Sequence, residues 1–159
     1  MRRFKQLLPK EDVERILKKG KYAVWAVSGD NDYPYAVPVN YVYNGNCIYI
    51  HSATSGHKLD SIRRNPKCSL CIVDKDDIIP EEFTSYFRSV IVFGHCEFVE
   101  TDKHKRDALL ELCEKYSKDI DPTDEIDRLI AHTAIIKVNI DAVTGKEAIE
   151  LTRMRKQMQ

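Results

Sequence analysis

The 159-residue chain has no apolar run long enough to cross a bilayer as a helix, because its longest apolar stretches are strand-length and charges interrupt the rest. Its start, Met1-Arg2-Arg3-Phe4-Lys5, is basic, but no apolar segment follows that would read as a secretion signal. A cytoplasmic protein without membrane contact is expected. Net charge is also missing. Twenty-five Lys and Arg balance 25 Asp and Glu, and the one basic block is Arg153-Met154-Arg155-Lys156, so nothing calls for nucleic acid. The six glycines do not fall as G-x-G-x-x-G, and Gly56-His57-Lys58 lacks the upstream glycine and the following Ser or Thr of a P-loop. The five cysteines are odd in number and scattered in apolar contexts, as suits free buried thiols in a reducing compartment. Cys68-Ser69-Leu70-Cys71 lies in a strand pattern, where positions three apart point to opposite faces, which argues against a shared metal or an easy disulfide. No carboxylate or thiolate at ligand spacing joins His51 and His57, so no metal site is expected.

What is present is one domain's worth of chain, enough to bury roughly 68–70% of its unfolded surface. It is organised around Cys47-Ile48-Tyr49-Ile50-His51-Ser52-Ala53-Thr54-Ser55-Gly56-His57-Lys58. An apolar, β-branched run stops at small hydroxylated residues, a glycine, two histidines and a lysine: a strand that delivers a polar loop. Leu59 and Ile62 then sit at helical spacing until Asn65-Pro66 stops them. Free N–H groups at a helix start, the hydroxyls of Ser52, Thr54 and Ser55, and the cations Lys58 and Arg63 favour an anion, most simply a phosphate. An N-capped surface turn is the plain alternative.

In chain order, residues 9–19 read as an amphipathic helix with acidic residues first, lysines last and Gly20 behind them. Strands follow at 21–28 and 33–43, the second marked as an edge or bulged strand by Pro34 and Pro38. Asn44-Gly45 signals a two-residue hairpin loop, which sets Asn40 opposite Tyr49 and Pro38 opposite His51 and makes Asn40 and His51 diagonal neighbours. A strand is expected over 67–74, a charged mobile loop over 75–82, a long β run over 84–100 with a bulge at Gly94, and a helix over 101–117 with Ala108, Leu109, Leu112, Cys113 and Tyr116 as its buried stripe. A short helix at 123–131 and a last strand at 133–140 follow, and there is no internal repeat. The fold class is mainly β (α+β): about six antiparallel strands with flanking helices in a closed or nearly closed barrel, one domain over 1–145 and a charged tail over 146–159.

Three groups of residues resemble a known family: Tyr35-Ala36-Val37-Pro38-Val39-Asn40-Tyr41-Val42-Tyr43, then Ile48-Tyr49-Ile50-His51-Ser52-Ala53 with Gly56-His57-Lys58, and Phe83-Thr84-Ser85-Tyr86-Phe87-Arg88-Ser89-Val90. Together with Arg2-Arg3, Gln6-Leu7-Leu8-Pro9 and Thr144-Gly145-Lys146-Glu147-Ala148-Ile149-Glu150-Leu151, they look like the 5-nitroimidazole-resistance (Nim-like) branch of the pyridoxamine 5′-phosphate oxidase-related flavoproteins. The resemblance implies an FMN-binding split β-barrel that works as a homodimer with the flavin at the subunit interface. It makes the anion the FMN phosphate, held by His51, Ser52, His57 and Lys58 with Ala53 and Gly56 in the same loop. Val39, Asn40 and Tyr41 would lie along the flavin ring, and Arg88 and Ser89 would reach a flavin from the partner subunit. True pyridoxamine phosphate oxidases carry a C-terminal substrate motif close to Arg-Leu-x-Pro, whereas this chain reads Leu151-Thr152-Arg153-Met154-Arg155-Lys156, which argues against vitamin B6 oxidation.

The expected function is an FMN-dependent oxidoreductase that reduces small acceptors such as nitroaromatics or quinones, reloaded by NAD(P)H, with His51 as its one candidate proton donor. The alternative is a carrier or sensor that only holds a flavin or haem. His95 and His132 read as structural, His104 as an exposed helix residue, and Trp25 as core.

Overall fold

A computed structural model describes residues 4–157; Arg2 and Arg3 of the expected motif lie outside the described residues. Helix α1 (Lys10–Lys19) has Glu11 and Asp12 in its first turn and Lys18 and Lys19 in its last, which complements the helix dipole, and it buries Val13, Ile16 and Leu17. Seven strands follow: β1 (Ala23–Ser28), β2 (Pro34–Val39), β3 (Val42–Tyr43), β4 (Cys47–Ala53), β5 (Lys67–Ile79), β6 (Thr84–Phe98) and β7 (Thr133–Glu147). They form one antiparallel sheet in the order β2-β1-β5-β6-β7-β4-β3. The sheet is therefore mainly antiparallel with flanking helices, as expected, but it has seven strands rather than six and stays unclosed. Its two outermost strands, β2 and β3, are neighbours in sequence, joined only by Asn40 and Tyr41. Pro34 and Pro38 occur where the sheet tolerates them, on an edge strand.

The sheet wraps one main core. Trp25, Ile48, Ile50, Leu70, Ile72, Val90, Val92, Ile136 and Val138 point inward and meet Ile16 and Leu17 of α1. Helix α2 (His57–Arg64) adds Leu59 and Ile62 to the same core. A smaller cluster on the other side of β4 and β7 packs Val42, Cys47, Tyr49 and Ile135 under Ala108 and Leu112 of α3 (Asp102–Tyr116). Strand β4 is thus covered on both faces, which explains why it reads as an uninterrupted apolar run. Helix α4 (Thr123–Leu129) follows α3. Strand β6 is continuous, and its pairing with β7 shifts between Phe93 and Gly94, where Asp141 of β7 is the extra residue. A Cβ at Gly94 would stand 2.3 Å from the Asn139 carbonyl oxygen, so glycine alone permits that approach.

Four expectations need correction. The hairpin register is shifted by two residues: Tyr49 faces Val42, and His51 faces Ile135 of β7. The Asn44 Oδ1 accepts from the N–H groups of Asn46 and Cys47, which moves the turn centre to Gly45-Asn46. The charged stretch 75–82 is mostly ordered strand, because β5 and β6 pair as a ribbon out to Ile79 and Thr84. The last strand runs to Glu147 rather than ending at 140. After it the residues read as a charged tail form α5 (Ile149–Gln157), with Leu151 and Thr152 buried.

On its outer face the sheet presents two registered rows without charge: Pro38, Val24, Cys71, Ile91 and Thr144, and beside it Ala36, Ala26, Ser69, Phe93 and Ala142. No described helix is long and apolar enough to cross a membrane.

Candidate functional site

The loop after β4 leaves the sheet at a buried serine. Ser52 is 8% exposed and its Oγ has no hydrogen-bond partner among the described residues, which leaves a buried hydroxyl available to a ligand or an ordered water. Ala53, Thr54, Ser55 and Gly56 follow on the surface. Gly56 has φ of +133°, a conformation that L side chains rarely adopt. It precedes the first residue of α2, and no side chain caps that start. The Gly56 carbonyl accepts from Leu59 and Asp60, which leaves the His57 and Lys58 amides free at the positive end of the helix dipole.

The cations around this start are unequally engaged. Arg63 donates to Asp60 at 2.9 Å and stacks over Phe98, and Arg64 pairs with Asp30 at 2.5 Å. His57 Nδ1 lies 3.3 Å from the other oxygen of Asp30, and its ring meets Tyr35 edge-on with centroids 4.6 Å apart. The Arg64 hydrogen bond holds the Asp30 carboxyl below its ordinary range. These pairings leave Lys58 without a carboxylate partner among the described residues. Its ammonium is felt at His51: desolvation first, and then Lys58, depress the imidazole below its usual titration range, so the ring is neutral at pH 7.

Asn40 and His51 do come together, by a different route from the expected ladder. Asn40 sits in the crossing between β2 and β3, its amide donating to the Lys21 carbonyl at 3.0 Å. It shares an open cavity of about 280 Å³ with His51, walled by Leu109, Leu112, Cys113, Tyr116 and Ser117 from the end of α3. Val39 ends β2 opposite Ala23. Tyr41 is turned the other way. Its side chain is fully buried, and its hydroxyl donates to the Leu17 carbonyl at 2.8 Å. Its backbone is gripped by α3: the carbonyl accepts from Lys115 Nζ at 2.9 Å and the Tyr116 hydroxyl at 2.8 Å, and the amide donates to that hydroxyl at 3.1 Å.

Arg88 and Ser89 lie away from this site. Arg88 donates to Glu147, which is 0% exposed, and to Asp74, while Arg155 holds the other Glu147 oxygen at 2.9 Å. Ser89 belongs to the outer face with Ile91, Phe93 and Thr144. Cys68 and Cys71 fall on opposite faces of β5, the first buried and the second half-buried. His104 is not a free surface residue, since its Nε2 lies 2.7 Å from the Tyr49 hydroxyl. Asp30, Tyr35 and the α3 residues of the cavity were not legible as site residues. They are distant in sequence from the loop they meet, and only Asp30, in a polar turn, carries any local signal.

The family model described as pyridoxamine 5′-phosphate oxidase matches residues 9–147. An uncharacterized protein of Rhizobium meliloti (strain 1021) is 31% identical over 156 residues, covering 91% of this chain and 96% of its own length. Two solved structures share the fold. One, described as a candidate 5-nitroimidazole antibiotic resistance protein from Bacteroides thetaiotaomicron, has a TM-score of 0.76 at 24% identity over 89% of this chain and 86% of that one. The other, an FAD and haem binding protein from Mycobacterium smegmatis, has a TM-score of 0.76 at 22% identity over 91% of this chain and 73% of that one.

Proposed function

Because the chain belongs to the pyridoxamine 5′-phosphate oxidase family, we propose that it binds FMN at the β4–α2 loop and serves as an oxidoreductase for small acceptors, with NAD(P)H as the reductant. The observation that carries this reading is the buried, unpartnered Ser52 hydroxyl in the strand that leads to an uncapped helix start, with Lys58 free of a carboxylate. This donor set fits a phosphate monoester. Each charge-assisted bond to it contributes about 1.5–3 kcal/mol, so Lys58 with the first-turn amides and Ser52 accounts for much of the roughly 8 kcal/mol of a micromolar complex.

Bound there, FMN supplies two-electron exchange between a nicotinamide and an acceptor. The chain's own contribution is binding and orientation. Lys58 and the α2 amides hold the phosphate, Val39 and Asn40 border the ring, and His51, neutral at rest, is the one candidate to take a proton from solvent and pass it to the acceptor side. His57 acts as a positioning residue, fixed between Asp30 and Tyr35. Tyr41 contributes its backbone to this border while its side chain serves the core. The acceptors this reading favours are nitroaromatics, including nitroimidazoles, and quinones; the likeness to the Bacteroides structure supports the first class.

The uncharged rows on the outer sheet face support a homodimer, because a five-strand apolar face of this kind is stabilised by burial against a second copy. Ser89 lies on that face, whereas Arg88 reaches a partner's flavin only by giving up Glu147 or Asp74.

The test is the visible spectrum of freshly purified protein, repeated after FMN addition and desalting, followed by NAD(P)H oxidation with an acceptor panel. Retained flavin at about one per chain and steady turnover are expected. A protein that takes up no FMN overturns the reading, and haem absorbance in its place favours the carrier function. Flavin that bleaches once without turnover removes the enzymatic half.

A further inference from the structure

The apolar stripe of α3 is longer than the surface it covers. Ala108 and Leu112 are buried against β4 and β7, but Leu109 and Cys113 are only half-buried and Tyr116 is 38% exposed. The last turns of the helix instead wall the open cavity they share with Asn40 and His51. Among the described residues, no Asp, Glu, Lys or Arg lines this cavity. The Tyr116 hydroxyl is committed to the backbone of Tyr41 and Lys21, so the tyrosine offers the cavity its ring rather than its polar end. Polar groups converge from the opposite side only: the Asn40 amide and an imidazole held uncharged.

We propose that this cavity between α3 and His51 is the acceptor subsite, and that it selects an uncharged small ring compound carrying a hydrogen-bonding substituent such as nitro or carbonyl. The inference rests on the oxidoreductase reading for the word acceptor, but the cavity and its selectivity belong to this chain alone. At about 280 Å³ it lies just under the ~300 Å³ at which pockets for drug-sized ligands begin, which suits a small ring compound. The ring packs on Leu109, Leu112 and Cys113, and the substituent meets Asn40 and His51. A carboxylate in the same place would lose hydration against Leu109, Leu112 and Cys113, and none of the described residues that line the cavity is a cation.

The experiment is equilibrium dialysis of the purified protein, at measured flavin content, against 4-nitrobenzamide and 4-nitrobenzoate, which share a shape and differ in charge. The amide is expected to bind, the benzoate at least about tenfold more weakly. Leu109→Trp, which fills the cavity, is expected to abolish amide binding while the circular dichroism and flavin content stay as in the wild type. Should that variant misfold, Cys113→Phe fills the same space. The amide should also slow alkylation of Cys113, followed by mass spectrometry of the labelled peptide, since Cys113 is a free thiol in the wall. Equal binding of the two probes, preference for the benzoate, or undiminished amide binding in the filled variants overturns the subsite. Absence of flavin in the same samples counts against the oxidoreductase reading and leaves the cavity result standing.

Discussion

The Lys115 ammonium lies 3.9 Å from the centre of the Tyr41 ring and donates to the Tyr41 carbonyl at 2.9 Å. With Tyr116 on the same peptide, the end of α3 fastens the two-residue crossing that separates the sheet's outermost strands. Desolvation in this position pushes the Lys115 pKa down to about 8.

That shift has a pH signature. The unfolded chain keeps the Lys115 proton up to its ordinary value of 10.5, the folded chain only to about 8. Between those values the unfolded state binds more protons, so this lysine makes the fold more stable as pH rises through the window. The urea midpoint of the wild type minus that of Lys115→Met should rise from pH 8 upward. Parallel curves would refute the depressed pKa.

Lys58→Ala should weaken FMN binding by roughly 10- to 150-fold, the loss of one charge-assisted bond, with an unchanged circular dichroism spectrum. In the same variant the His51 titration, followed by imidazole proton NMR, should move upward, since Lys58 is the second cause of its depression, and should stay below the ordinary 6.5 because desolvation is the first. Unaltered flavin retention would remove Lys58 from the site.

Ser52→Ala separates ligand from fold. Its hydroxyl has no partner to lose, so the apoprotein should be as stable as the wild type or slightly more so, by less than about 1 kcal/mol, while FMN affinity falls. A loss of stability in the apoprotein, measured by chemical denaturation, would show that the hydroxyl is used within the fold.

Glu147→Ala should destabilise the protein by about 3 kcal/mol, because it leaves Arg88 and Arg155 facing each other across a buried position without their common carboxylate. Urea denaturation checks the size. A change below about 1 kcal/mol would mean that the two guanidinium groups swing out to solvent.

Much of this arrangement is legible in the amino acids, and the exceptions have physical causes. The β4 run, the polar loop and the α2 start stand out because strand and helix periodicities change within a few residues. Pro34 and Pro38 announce an edge, and Gly94 announces a bulge. The Asn44-Gly45 dipeptide misleads by one step, because the Asn44 side chain captures the next amides and draws the turn forward. The charged ends of β5 and β6 look like loop since each residue is polar; their order comes from the partner strand, which no local pattern reveals. The α3 stripe is correctly amphipathic, yet periodicity cannot tell that the surface beneath it ends early. The Asp30 and Tyr35 contacts to His57 depend on the fold bringing the β1–β2 hairpin beside α2.

Strand β7 lies between β6 and β4, so until residues 133–147 exist the sheet is two separate pieces, β2-β1-β5-β6 and the small β4-β3 hairpin. A chain emerging from the ribosome can assemble the first piece early, but β4, with the loop that it carries, has only the two residues of β3 to pair with. The strand that leads to the site is thus among the last to be locked in place, and a molecule truncated before Thr133 would leave it without its long ladder.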